Sequence, residues 1–326
     1  MTEHKIHFLG EKDYIPVMES QNRLWREQHV KNGKITTRDG IRLNYYYAEQ
    51  QHPKAVVVML HGYCGFWGKY HEFAWYLWQA GYTVFFLEQR CHGYSGGKLP
   101  EYDVVHIDTF DTYVRDLREF MERVVMPASG DLPRLLLAHS MGGAVGALFL
   151  GTLPKYFNGA VLTSPMLKLH TGKMTPRRIE ALRTYMKMTH SQKKLCFGQH
   201  HFDPEPEFPN NSTLSKARYM YFFRQRIFDS HYRTSAPSFG WVMAAVDVTG
   251  LIMKRAHRIK IPVTLMQSGI DTLVDAAGFS EFMKRVPQAR LIRYENAKHE
   301  LFNAASKERK QYFADVIAEF DRMSGH

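Results

Sequence analysis

Ser140 sits at a break between two kinds of pattern. An apolar run, Leu135-Leu136-Leu137-Ala138, ends at His139-Ser140-Met141-Gly142-Gly143, and Val145 to Leu150 continue as an apolar, helix-like stretch. Strand, sharp turn and helix around a serine make a nucleophile elbow, normally written G-x-S-x-G. The turn holds the serine in a strained backbone conformation, so the residues two before and two after it must be small. Ala138 and Gly142 fill those places, alanine being the tolerated departure. The plainer reading is a serine that caps an ordinary helix. A serine hydroxyl at neutral pH is a poor nucleophile and needs a base to take its proton. Histidine suits that task near pH 7, with a carboxylate to hold its tautomer.

With this elbow the chain order is Ser, then Asp or Glu, then His. Asp271 stands two residues past the run Val263 to Gly269, and His299 follows the run Arg290 to Tyr294. Asp275 is the rival acid, but it is further from the strand end and placed to cap the next helix. His139 and His92 are the rival bases. His139 precedes the serine on a buried strand and is expected to pack beneath the elbow. His92 lies in a glycine-rich turn, Gln89 to Gly97, and is expected to make a structural hydrogen bond. A tetrahedral intermediate also needs two N–H donors for its oxyanion. One is expected from Met141, directly after the serine, and the other from Tyr63 in His61-Gly62-Tyr63.

The surrounding elements must bring these residues together. Ile35 to Tyr47 alternates around Asp39-Gly40, a strong hairpin signal. Residues 1–33 read as a partly helical extension that Gly33 ends. Ala55 to Leu60 is apolar throughout, as a strand buried on both faces would be. Helix and strand then alternate: a helix over 70–80, a strand over 82–87, a helix over 105–125, then the strand into Ser140 and another over 159–163. This rhythm predicts an α/β fold with a mostly parallel, doubly wound sheet. It stops at about Ser164 and resumes at Pro262. Residues 1–164 and 262–326 are therefore expected to form the core, and 165–261 an inserted, largely helical cap. A helix over 277–285, a strand over 290–294 and a helix over 306–323 complete the core.

The chain has 326 residues, 44% hydrophobic and 23% charged, as expected of a globular protein. Net charge is +11, and its placement is uneven. Residues 165–260 hold 17 Lys and Arg against 6 Asp and Glu, while the rest of the chain is balanced. Such a segment fits an anionic surface such as a phospholipid bilayer. Nucleic acid is disfavoured, because no motif for it is present. Cys64, Cys91 and Cys196 have no metal-type spacing and read as reduced thiols. Met1 to Gly10 lacks the apolar centre of a secretory signal, and no apolar run reaches the ~18 residues that span a bilayer. The expected setting is the cytoplasm.

These residues resemble the α/β-hydrolase superfamily, in the group of monoacylglycerol lipases and bacterial lysophospholipases. The resemblance rests on His61-Gly62, Arg90-Cys91-His92-Gly93-Tyr94-Ser95, Ala138-His139-Ser140-Met141-Gly142-Gly143, Thr163-Ser164-Pro165-Met166, Asp271-Thr272-Leu273-Val274-Asp275 and Lys298-His299-Glu300. It covers nearly the whole chain, with the cap least matched. It implies a serine hydrolase that cleaves the carboxylic ester of a single-acyl lipid, without cofactor or metal, from the cytoplasmic side or on the inner membrane surface. The cap's Met and aromatic residues would then line an acyl slot. Two alternatives remain. One is a carboxylesterase or aminopeptidase-like hydrolase of the same fold, the latter needing a cap carboxylate from Glu180, Glu205 or Glu207. The other is a non-catalytic binding module.

Overall fold

A computed structural model describes residues 6–170, 175–210 and 212–326. Met1 to Lys5 and the cap's Lys173 lie outside the described residues. Eight strands form one sheet: β1 (Val30–Thr36), β2 (Arg42–Ala48), β3 (Val56–Leu60), β4 (Thr83–Glu88), β5 (Arg134–His139), β6 (Gly159–Thr163), β7 (Val263–Ser268) and β8 (Arg290–Tyr294). Their spatial order is β1-β2-β4-β3-β5-β6-β7-β8. The hairpin β1–β2 and the pair β2–β4 are antiparallel, and every other pair is parallel.

Every residue of β3, β4, β6 and β7 is buried. Side chains alternate between faces along a strand, and here the two faces feed two separate cores. Val56, Val58 and Leu60 join one apolar cluster, and Val57 and Met59 join the other. Layers of helices cover both faces, which is why these runs carry no polar alternation. The register sets Leu60 beside Ala138 and His139 beside Thr163, so three strands end together under Ser140.

Two local expectations differ from the structure. The helix Gln21–His29 ends before Gly33, and β1 runs through that glycine. The ring of Tyr45 packs over Gly33, where a Cβ would meet it at 2.2 Å. The glycine is there for close approach and does not stop a helix. Over 105–125 the α-helix is confined to Asp111–Phe120, followed by a π-helical turn over Met121–Val125. Val104–Val105 instead pairs with Ala236–Pro237, tying the core to the inserted segment.

Between β6 and β7 the described residues hold three long helices, α1 (Pro176–Thr189), α2 (Lys216–Phe228) and α3 (Phe239–Arg255). They differ in attachment. α3 places Trp241, Ala244, Ala245, Val248 and Ile252 in the same cluster as the elbow helix. α2 is anchored by buried Arg218, whose Nε donates to Glu72 at 2.8 Å. Buried ion pairs of this kind fix geometry more than they add stability.

Candidate active site

Ser140 follows β5 directly, with φ 53° and ψ −115°. Positive φ is costly for any residue with a Cβ, and neighbouring backbone holds it. The Ser140 N–H donates to Thr163 O at 3.0 Å, and its carbonyl accepts from Ala144 N and Met166 N, each at 3.0 Å. Gly142 has no room for a side chain, since a Cβ would come within 2.6 Å of the carbonyl oxygens of Leu60 and His61. That contact brings the helix Met141–Thr152 down onto the end of β3.

The loop after β8 carries His299 to the serine. His299 Nε2 lies 2.8 Å from Ser140 Oγ, and His299 Nδ1 lies 2.8 Å from Asp271 Oδ2. A carboxylate can only accept, so Nδ1 carries the proton and Nε2 faces the hydroxyl as acceptor. Asp271 Oδ1 accepts from Leu273 N at 2.9 Å and Val274 N at 3.1 Å, which fixes the carboxylate plane. Burial pushes the Asp271 carboxyl upward, but the His299 hydrogen bond and charge and the two N–H donors outweigh it, leaving it below the ordinary range. His299 and Asp271 side chains are 5% and 8% exposed, so this pair is shielded from water.

The rival residues occupy other positions. Asp275 Oδ1 accepts from Ala277 N at 2.9 Å and pairs with Lys168, at the start of the helix Ala277–Arg285. His139 lies beneath the elbow, its Nδ1 bonded to Thr163 O at 3.1 Å and its ring 5.0 Å from that of His299. Burial, then the neighbouring His299, keep it well below the ordinary imidazole range. His92 Nδ1 lies 2.9 Å from Arg90 O in the glycine-rich turn.

The loop after β3 comes to the same spot. Gly62 packs so that a Cβ there would lie 3.2 Å from Ser140 Cβ and 2.8 Å from His139 Cδ2. Its N–H donates to Tyr70 Oη at 3.2 Å. His61 Nδ1 is bonded to Gly62 O at 2.7 Å, and His61 Nε2 accepts from Gln89 N at 2.9 Å. Burial pushes His61 down to about 4, so it stays neutral with both nitrogens in use. Among the described residues neither the Tyr63 N–H nor the Met141 N–H donates to a protein acceptor. Sequence patterns give no sign of Tyr70 or Gln89 in this role: Tyr70 reaches back from the short helix Trp67–Tyr70, and Gln89 comes across from the end of β4.

Among the described residues no group of three His, Cys, Asp or Glu is placed to hold a metal ion. Of the cap acids, Glu180 pairs with Arg183 at 3.3 Å. Glu205 and Glu207 line a cavity whose wall includes Cys64.

Residues 51–305 match the family described as serine aminopeptidase, S33. The chain belongs to that family. It is 28% identical over 251 residues to lysophospholipase L2 of Escherichia coli K12, covering 77% of this chain and 73% of that one. It is 27% identical over 285 residues to monoacylglycerol lipase of Mycolicibacterium smegmatis, covering 86% and 92%. Among solved structures, a soluble variant of monoglyceride lipase from Saccharomyces cerevisiae in complex with a substrate analog superposes with a TM-score of 0.71 at 19% identity. That alignment covers 91% of this chain and 96% of that one. A carboxyl esterase from Bacillus coagulans superposes with a TM-score of 0.72 at 15% identity, covering 91% and 99%. The fold is that of the α/β hydrolases.

Proposed function

We propose that the protein hydrolyses the carboxylic ester of a lipid bearing one acyl chain, through an acyl-enzyme on Ser140. The observation that carries this reading is the pair of 2.8 Å hydrogen bonds that join Ser140, His299 and Asp271. Ser140 Oγ attacks the ester carbon while His299 Nε2 takes the hydroxyl proton. Asp271 holds the imidazole and stabilises its charged form. The oxyanion receives the free N–H groups of Met141 and Tyr63, each worth ~3 kcal/mol in such sites. Collapse breaks the C–O bond to the alcohol, which leaves with the proton from His299. Water then attacks the acyl-enzyme by the same route in reverse.

The single-acyl lipid as substrate is supported by its relatives, a lysophospholipase L2 and a monoacylglycerol lipase. The test is fatty-acid release from lysophosphatidylcholine and from monoolein, beside a short-chain nitrophenyl ester and an aminoacyl nitroanilide. Release from either lipid at rates above the ester supports the reading. Turnover of the nitroanilide alone would replace it with an aminopeptidase.

The setting we propose is peripheral, on an anionic membrane surface, with Cys64, Cys91 and Cys196 as free thiols. No helix among the described residues is long and apolar enough to cross a membrane. The cap exposes Tyr185, Met188 and Phe197 beside Lys187, Lys193 and Lys194. Apolar tips among lysines are the composition that interfacial binding uses.

A further inference from the structure

A cavity of about 250 Å³ lies where the inserted segment meets the loop after β3. Cys64 supplies its core wall, Tyr219, Phe223 and Arg226 of α2 line it, and Glu205 and Glu207 stand at its rim. Arg226 is the unusual member. Its Nε donates to Tyr232 O at 3.1 Å and its Nη2 to Thr234 O at 2.9 Å, and the guanidinium lies 4.5 Å over the Phe202 ring. Two carbonyls and a ring fix its orientation but leave its full charge. Arg183 and Arg218 of the segment pair with Asp247 at 2.7 Å and with Glu72, whereas Arg233, like Arg226, donates to carbonyls, those of Arg226 and Ile227, but it does not line this cavity. Among the described residues no carboxylate comes within ion-pair distance of Arg226. Asp103, whose charge reaches it, is held by His201, the Phe202 N–H and the Ser235 hydroxyl. Among the described residues the Nη1 of Arg226 has no protein partner, and it is not sealed from solvent.

An uncompensated guanidinium at a partly buried site costs free energy that a bound anion recovers. With its orientation fixed and one N–H edge free, Arg226 suits a phosphate oxygen. The rim has the opposite sign, since Glu205 and Glu207 are exposed and make no ion pair among the described residues. A ligand matching both has a phosphate inside and an amine outside. The cavity shares the loop after β3 with the ester site. Cys64 is two residues beyond Gly62, a span of at most ~7 Å, and Gly62 packs on Ser140.

We propose that this cavity is a headgroup subsite, in which Arg226 binds the phosphate of a zwitterionic glycerophospholipid and Glu205 and Glu207 receive its amine. The proposal rests on the lipid-ester reading and narrows it to lysophospholipids with an amine-bearing headgroup. Inorganic phosphate offers Arg226 the same chemistry, so the test must separate the two sources.

The first measurement is direct binding by calorimetry, which does not depend on turnover. Wild-type protein binds sn-glycero-3-phosphoethanolamine more tightly than glycerol or inorganic phosphate, and Arg226→Gln weakens that binding by about tenfold or more. Equal affinity for inorganic phosphate, or binding that Arg226→Gln does not change, overturns the subsite. The second measurement is the ratio of kcat/KM for oleoyl lysophosphatidylethanolamine to that for monoolein. Arg226→Gln lowers the ratio by about tenfold, and Arg226→Lys, which keeps the charge, restores part of it. The double variant Glu205→Gln/Glu207→Gln, in an exposed loop, erases the preference for ethanolamine over glycerol headgroups. An unchanged ratio in all three variants overturns the subsite. Headgroup binding without hydrolysis of any lipid overturns the ester reading instead and leaves a binding site.

Discussion

Ser140 owes its exposure to a backbone conformation that its own Cβ resists, with φ 53° held by a strand-end hydrogen bond on one side and a helix on the other. That arrangement gives the hydroxyl a fixed direction before any substrate arrives, which lowers the reorganisation needed during reaction. His299 and Asp271 complete the line of acceptors and donors. Because Asp271 dictates which nitrogen of His299 carries the proton, Asp271→Asn is expected to reverse the tautomer and lower kcat by about 10⁴-fold. Steady-state kinetics on the better lipid substrate checks this, and a loss below tenfold would remove Asp271 from the role. These three residues were legible in the sequence because the chemistry prescribes their order and their places at strand ends. Tyr70 and Gln89 were not, since nothing in their local sequence distinguishes them from other buried polar residues. Arg226 was visible only as one cation in a basic segment; that no carboxylate among the described residues pairs with it is a property of the fold.

At the scale of elements, the decisive contact is between the loop after β3 and the elbow. Gly62 is its closest point, and the loop is pinned by Tyr70, by Gln89 and by the neutral ring of His61. A Cβ at Gly62 would meet His139 at 2.8 Å and push the loop off the elbow. Gly62→Ala is therefore expected to cost about 10²-fold or more in kcat, the scale of one lost oxyanion donor. KM should change little, while the overpacking lowers the melting temperature by a few degrees. An active Gly62→Ala protein would show that this loop does not serve the oxyanion. The alternation of apolar runs and helical stretches was enough to lay out β3 to β8, since a parallel sheet covered on both faces leaves that signature. The edge was harder to read. Gly33 has the look of a terminator, yet a ring on the neighbouring strand needs its missing side chain, and such cross-strand packing overrides local propensity. The 105–125 stretch failed for the same kind of reason: its first residues pair with a strand far along the chain.

For the whole molecule, the net charge of +11 is less concentrated in effect than in sequence. Arg218 and Arg224 between β6 and β7 are spent on Glu72 and Glu19, and Lys168 on Asp275, all acids outside that segment. The outward excess rests with lysines such as Lys187, Lys193 and Lys194, beside Met188 at 78% and Phe197 at 69% exposure. Exposed charges are screened over ~8 Å at physiological ionic strength. Sedimentation with anionic vesicles should accordingly fall steeply as salt rises, and Lys187→Glu/Lys193→Glu/Lys194→Glu should abolish it. Binding that ignores salt, or that the triple variant keeps, would remove the membrane from the account.

The central claim is that Ser140 is the nucleophile of a lipid ester hydrolase, and fatty-acid release by Ser140→Ala protein tests it most directly. The substitution should leave the melting temperature near that of the wild type and lower kcat on lysophosphatidylcholine or monoolein by at least about 10³-fold, the scale seen when a triad member is lost. A Ser140→Ala protein that still released fatty acid at the wild-type rate would contradict the account outright.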